Sequence, residues 1–331
     1  MKLRFALLTS FAVAGVATAL PAMAQDPFRI AYLASSSQNG YNQAIYAGIQ
    51  EAAAAKGVEV EIFDGAFDST KQFSQVEDVV AGGRFDALIV TPNDSVGIAP
   101  ALEDAAAAGL TVASTLFPIG SDLTNMEPQV PGLTTTVAAN PAIGAKAQAD
   151  AVVDYCADKD PCRVAVIIGQ LIYPFDNLRN ETYKEVFAEH ANIQIVATGE
   201  GNYDPDTALT AMQDILQANP EIDAVLSNAD QPLIGVEIAL NDFGYNPGEV
   251  YMIGGGLNQI TIDAIRAGKV AATLAEVPHS MGEAALEAVV TTLEGGTAPT
   301  WIDPFELSTT PVIVTKEWLD ANPDFVGEWQ G

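Results

Sequence analysis

Short apolar runs alternate with polar loops and with stripes of helical period along most of this chain. Ile30-Ala31-Tyr32-Leu33-Ala34 is apolar without interruption, which predicts a strand buried on both faces. A polar loop, Ser35 to Gly40, follows it. Ala44, Ile45, Ala47, Gly48 and Ile49 then continue to Ala52 as the apolar stripe of a helix that stops at Gly57. Val58–Phe63 alternates as a strand does, and Asp68–Gly82 places Phe73, Val76, Val79 and Val80 on one helical face. Asp86–Val90 predicts a buried strand that ends in the turn Thr91-Pro92-Asn93-Asp94. An alanine-rich helix over Ile98–Ala108 stops at Gly109, and Leu110–Thr115 predicts a further strand.

The same order then repeats. Arg163–Gly169 predicts a strand, Tyr173–Asn180 a polar and aromatic loop, and Glu181–Glu189 a helix. Ile193–Thr198, Asp206–Asn219, Asp223–Leu226, Pro232–Asn241 and Val250–Gly254 continue the correspondence. Arg29 to Arg163 is 134 residues and Asp86 to Asp223 is 137, so the period is nearly constant and far too long for a solenoid. Runs of βα units favour parallel sheets covered by helices on both faces. The pattern therefore predicts two α/β lobes in tandem, whose strand ends face each other across a cleft suited to a small ligand. Val270–Ala275, the helix Ser280–Leu293 and Val312–Thr315 are too few for a third lobe. They read as chain crossing back to finish each sheet, with Trp301–Pro311 as one crossing.

Charge and cysteine usage narrow the setting. Lys2 and Arg4 precede an apolar stretch from Phe5 to Leu20, and Ala22-Met23-Ala24 fits signal-peptidase cleavage. This predicts a leader at 1–24, cleavage near Ala24, export to the periplasm and no stable membrane insertion. The chain carries a net charge of −29, and losing the leader makes it two charges more negative. Nucleic acid is thereby excluded as a partner, since its binding needs a basic surface. Cys156 and Cys162, with five residues between them, suit a disulfide in an oxidising compartment, and two cysteines are too few for a zinc site. No nucleophile elbow, P-loop or zinc-helix motif is present, and Gly254-Gly255-Gly256 lacks the spacing of a dinucleotide site. No catalytic residue, metal or cofactor is expected.

From about Phe28 to Leu319 the chain resembles the ribose-binding-protein-like, sugar-type solute-binding proteins of ABC transporters. The likeness is carried by SSSQNGYNQAIYAGIQEAAAAKG, FDALIVTPNDSVGIAPALEDAAAAGLTV, LRNETYKEVFAEHANIQIV, IRAGKVAATLAEVPHSMGEAALEAV and the closing PFELSTTPVIVTKEW. It implies two Rossmann-like lobes of the periplasmic binding protein type I fold, joined by a three-crossing hinge. The crossings would fall near Ala138-Ala139-Asn140, Glu276-Val277 and Phe305–Leu307. The N-terminal lobe would then be 25–138 plus 277–306, and the C-terminal lobe 139–276 plus 307–331. The function implied is capture of a small polar ligand for an ABC permease by a monomer. A ligand-sensing receptor and an exported enzyme on the same scaffold are the alternatives.

The resemblance also implies site residues. Asn39, Tyr41 and Asn42 fall where the family has an Asn and two stacking aromatics, and Tyr203 falls at another stacking position. Glu276 stands at a hinge-side contact, and Asp230 keeps the acid of an Asn-Asp pair whose Asn is replaced by Ala229. Leu116-Phe117 replaces an Asp-Arg pair that grips hydroxyls, and Asn177 replaces an Arg, with Arg179 close by. Gly254–Leu257 replaces a strand-end Gly-Phe-Asp-Gly. A buried hydroxyl without a partner costs about 1–3 kcal/mol, so the changes disfavour ribose and galactose. With Phe175 the expected lining becomes rich in aromatics, which stack on a sugar or polyol or attract a quaternary amine. A sugar or polyol is the first expectation for the ligand, an amine the second.

Overall fold

The structure, a computed structural model, describes residues 26–331. The predicted leader and its cleavage site lie outside these residues. The chain runs β1 (Arg29–Ala34), α1 (Gly40–Lys56), β2 (Glu59–Asp64), α2 (Ser69–Gly82), β3 (Ala87–Val90), α3 (Ala99–Ala107), β4 (Thr111–Leu116) and β5 (Leu133–Ala138). It continues through α4 (Pro141–Cys156), β6 (Cys162–Ile168), α5 (Pro174–Ala188), β7 (Ile193–Glu200), α6 (Pro205–Ala218), β8 (Ala224–Ser227), α7 (Gln231–Phe243), β9 (Tyr251–Gly255), α8 (Gln259–Arg266) and β10 (Ala272–Leu274). Then come α9 (Pro278–Leu293), β11 (Trp301–Ile302), α10 (Pro304–Leu307), β12 (Ile313–Thr315) and α11 (Lys316–Ala321).

Two sheets result, in the orders β11-β5-β4-β3-β1-β2 and β12-β10-β9-β8-β6-β7. All pairings are parallel except β10 with β12. Apart from the edge strands β11 and β12, the five strands of each sheet follow one topology in both lobes. One local device is repeated too: Asp86 Oδ2 accepts from Arg29 N and Asp223 Oδ2 from Arg163 N, each at 2.8 Å. The chain passes between sheets after β5, after β10 and after β11, which makes three strands of hinge.

Helices cover both faces of each sheet. In the first lobe α1 packs on α9 so closely that a Cβ at Gly48 would collide with the His279 carbonyl, and one at Gly282 with that of Ile45. Ile45, Ile49 and Val289 are fully buried in this seam, each stabilising the lobe by roughly 1.5–3 kcal/mol. In the second lobe the strands β6 and β8 are sandwiched between α6 with α7 and α4 with α5. Cys156, at the end of α4, is disulfide-bonded to Cys162, at the start of β6.

Three features differ from the sequence reading. Tyr173–Asn180 is not a loop: α5 begins at Pro174, whose fixed φ suits a first helical turn, and the polar residues of that turn hide the apolar period. β5 and α8 were not expected, because LTTTVA is half threonine and QITIDAIR is only eight residues long. The last ten residues stay bonded to the second lobe, where Arg266 donates to Pro323 O and Phe325 O and Gln259 N to Trp329 O, but they reach the first lobe as well. Trp329 donates from Nε1 to Gly256 O at 2.6 Å, while its ring joins the first-lobe core, edge-on to Tyr41 at 5.4 Å.

Candidate functional site

Ligand sites in open α/β sheets lie beyond the carboxyl ends of the strands, where the strand order switches direction. In the first lobe this is the crevice between β1 and β3. Gln72 is buried under it, donating to Ala34 O at 3.3 Å and Thr91 O at 2.8 Å and accepting from Asn93 N at 2.8 Å, so the ends of β1 and β3 are pinned together. Asn39 caps α1, its Oδ1 accepting from Tyr41 N at 3.0 Å and Asn42 N at 3.3 Å. Asn42 Oδ1 in turn accepts from Ser35 N at 3.1 Å. Ser35, Asn39, Tyr41, Asn42 and Asn93 all reach the interlobe cavity.

The second lobe meets them with charge. Asp176, in the first turn of α5, is fully buried. Its carboxylate accepts from Gln170 N at 2.7 Å, Tyr203 Oη at 2.6 Å and Asn228 Nδ2 at 3.1 Å. Gly169 makes this possible, since a Cβ there would run into Asp176 and the Tyr203 ring. Arg179, one turn further on, stands 3.6 Å from Asp176 and 3.7 Å from Glu276, with its guanidinium 5.2 Å above the ring of Phe117. Burial pushes the carboxyls of Asp176 and Glu276 up, while the nearby Arg179 pulls both down. Burial also holds the Tyr41 and Tyr203 hydroxyls well above their usual range, helped by Glu276 at the first and Asp176 at the second.

Aromatic rings close the cleft between the lobes. Phe117 of the first lobe lies on Phe175 of the second, centroids 3.9 Å apart and planes 13° apart. Phe67 and Tyr203 face each other at 5.9 Å, and the Tyr173 hydroxyl donates to the Phe67 carbonyl. About 50 Å³ of open space remains. A water needs roughly 10–15 Å³ on this measure. The cavity therefore has room for a few waters, and a ring-sized ligand needs more space than this closed arrangement leaves.

Of the residues expected at the site, Asn39, Tyr41, Asn42, Phe117, Phe175, Arg179, Tyr203 and Glu276 line this one cavity. Two do not. Asn177 is exposed and turns its Nδ2 back to the carbonyls of Leu171 and Tyr173. Asp230 is fully buried behind the cleft, its oxygens taken by Thr273 Oγ1 at 2.7 Å and Asn258 N at 3.1 Å. Burial raises its carboxyl to about 7 against the Thr273 hydrogen bond. The turn around it offers Asn228, Ala229 and Gln231 to the cavity instead.

Asp176 as a hub, Phe67 and Tyr173 were missed as site residues. One signal for Phe67 was available: Gly65-Ala66-Phe67-Asp68 matches Gly201-Asn202-Tyr203-Asp204 at corresponding points of the repeat. In both, the two middle residues have positive φ, 52° and 53° in one and 51° and 56° in the other. No helix among the described residues is long and apolar enough to cross a membrane.

Residues 30–297 match the family described as periplasmic binding protein domain. The ribose import binding protein of Bacillus subtilis (strain 168) is 28% identical over 268 residues, covering 81% of this chain and 82% of that protein. The D-allose-binding periplasmic protein of Escherichia coli (strain K12) is 27% identical, covering 75% of this chain and 79% of the relative. Among solved structures, an ABC transporter periplasmic solute-binding protein from Actinobacillus succinogenes 130z with bound D-allose superposes with a TM-score of 0.76. It is 25% identical and covers 89% of this chain and 99% of its own.

Proposed function

Because the chain belongs to the periplasmic binding protein family, we propose that it captures one small sugar or polyol in its interlobe cleft and presents it to an ABC permease. The observation that carries this reading is the cavity itself. It lies at the switch-point ends of both sheets, takes residues from both lobes, and sits on a chain that crosses between them three times. Ligand contacts with both lobes exist only when the lobes are shut, so binding shifts the population toward the closed form. The names of the relatives, for ribose and D-allose, support a carbohydrate class. The mature protein, cleaved near Ala24, works in the periplasm as a monomer and releases its ligand unchanged. Asn39, Tyr41, Asn42, Phe117, Phe175, Arg179, Tyr203 and Glu276 hold the ligand.

A thermal-shift screen of sugars, polyols, amines and organic acids tests this, since a ligand bound only by the folded state raises the melting temperature. Saturable one-to-one binding of a sugar or polyol, with the compound recovered intact, is expected. Stabilisation by carboxylic acids alone, or consumption of the bound compound, would overturn the reading.

A further inference from the structure

The charges around the cleft do not balance. Arg179 is the one Lys or Arg that lines it, and it faces two carboxylates, those of Asp176 and Glu276, both largely removed from water. The carboxyl of Asp230 lies just behind but keeps its proton up to about pH 7, so the imbalance rests on the other two. An uncompensated carboxylate away from water costs several kcal/mol. The remaining lining adds acceptors and π faces. Asn228 is 3% exposed and lines the cavity, and its Oδ1 has no partner although its Nδ2 is engaged twice. Tyr41, Phe67, Phe117, Tyr173, Phe175 and Tyr203 line the cavity too, several stacked on one another, and aromatic faces attract cations. Arg179 already uses one of them, Phe117.

We propose that the ligand is a polyol or sugar carrying a positively charged amino group, which sits against Glu276 and the aromatic faces and donates a hydrogen bond to Asn228 Oδ1. This deepens the carbohydrate reading above and rests on it. The ammonium supplies the second positive charge that Asp176 and Glu276 lack. Its N–H groups meet acceptors that a second arginine could not reach without filling the space of the sugar. Tyr41, Tyr173 and Tyr203, the other titratable groups lining the cavity, all have their pKa raised by burial, remain neutral hydroxyls and leave the imbalance to the carboxylates.

The test is calorimetric titration of the mature chain at pH 7 with matched pairs: glucosamine against glucose, galactosamine against galactose, and glucamine against sorbitol. At least one amine is expected to bind tenfold or more tightly than its neutral partner. Glu276→Gln is expected to bring that ratio to about threefold or less. Repeating the titration of the unaltered chain above the pKa of the amine, where its charge is gone, is expected to do the same, and this holds the test should the variant fail to fold. Neutral members that bind as tightly as their amines in every pair would overturn the inference and leave the carbohydrate reading standing. Binding by no member of any pair would overturn both.

Discussion

Asn42 in the first lobe and Asp176 in the second are 134 residues apart, the offset of Arg29 and Arg163, and they do the same structural work. Asn42 Oδ1 accepts from Ser35 N after β1, and Asp176 Oδ2 accepts from Gln170 N after β6. The same substitution recurs after the next strand, where Asn93 follows β3 and Asp230 follows β8 at the offset of 137. One turn into the helix, Ile45 in α1 corresponds to Arg179 in α5. An amide oxygen is enough to hold a strand-end N–H, as the first lobe demonstrates. The second lobe has charge where the fold needs only an acceptor, and it needs Arg179 to tolerate that charge. On the reading proposed above, such charge serves recognition.

Exchanging second-lobe charges for first-lobe chemistry tests this directly. Removing one partner of a buried ion pair costs about 3–5 kcal/mol, because the other charge is left stranded. Arg179→Ala is therefore expected to lose about that much in urea unfolding at pH 7.5, with part regained at lower pH as Asp176 and Glu276 take up protons. Asn42→Ala removes only neutral hydrogen bonds, including one accepted from Ser35 N and one donated to Asn39 Oδ1, and should cost about 1–3 kcal/mol. The pair Asp176→Asn with Arg179→Met should recover at least half of the Arg179→Ala loss. A double variant as unstable as the single one would mean that the charge holds the fold.

Asp230→Asn makes the same exchange with a pH signature. The unfolded carboxyl ionises near 3.9, the folded one only near 7. Both forms are protonated below pH 4, so the group contributes nothing to the pH dependence there. As pH rises from about 4 to 7 the unfolded chain gives up its proton first, and the native state loses stability relative to it. The variant is expected to overtake the unaltered protein across this window, by on the order of 2 kcal/mol above pH 7. Parallel stability curves from pH 4 to 8 would show that Asp230 is ionised in the fold.

Much of this was legible in the sequence and some was not, for identifiable reasons. Apolar runs such as Ile30–Ala34 and Val164–Ile168 announce buried strands because both faces of a parallel sheet must be apolar. Their near-constant spacing gives the two lobes. The start of α5 was obscured because Asp176 and Arg179 face partners that only the folded chain supplies. Burial of Arg179 could not be read locally either, since Glu276 lies almost a hundred residues away. The path of the tail depends on contacts with both lobes, Glu328 and the Trp329 ring toward the first and α8 toward the second. Nothing in the local pattern around Trp329 distinguishes a core residue from an exposed end.

The smallest expected effect concerns the paired turns that carry Phe67 and Tyr203. Each holds the second residue before its helix cap in the left-handed region, with Ala66 at φ 52° and Asn202 at φ 51°. That region costs an ordinary L-residue roughly 1–2 kcal/mol, whereas Asn visits it routinely. Glycine relieves the cost but returns about 0.5–1 kcal/mol through the freedom of the unfolded chain. Ala66→Gly should therefore stabilise the protein by about 0.5 kcal/mol, raising Tm by a degree or two. Asn202→Gly should be neutral or slightly destabilising. Differential scanning calorimetry of the two variants side by side makes the comparison. Equal shifts would mean that the two turns carry the same strain, and that the lobes differ in charge but not in how each backbone presents its aromatic ring to the cleft.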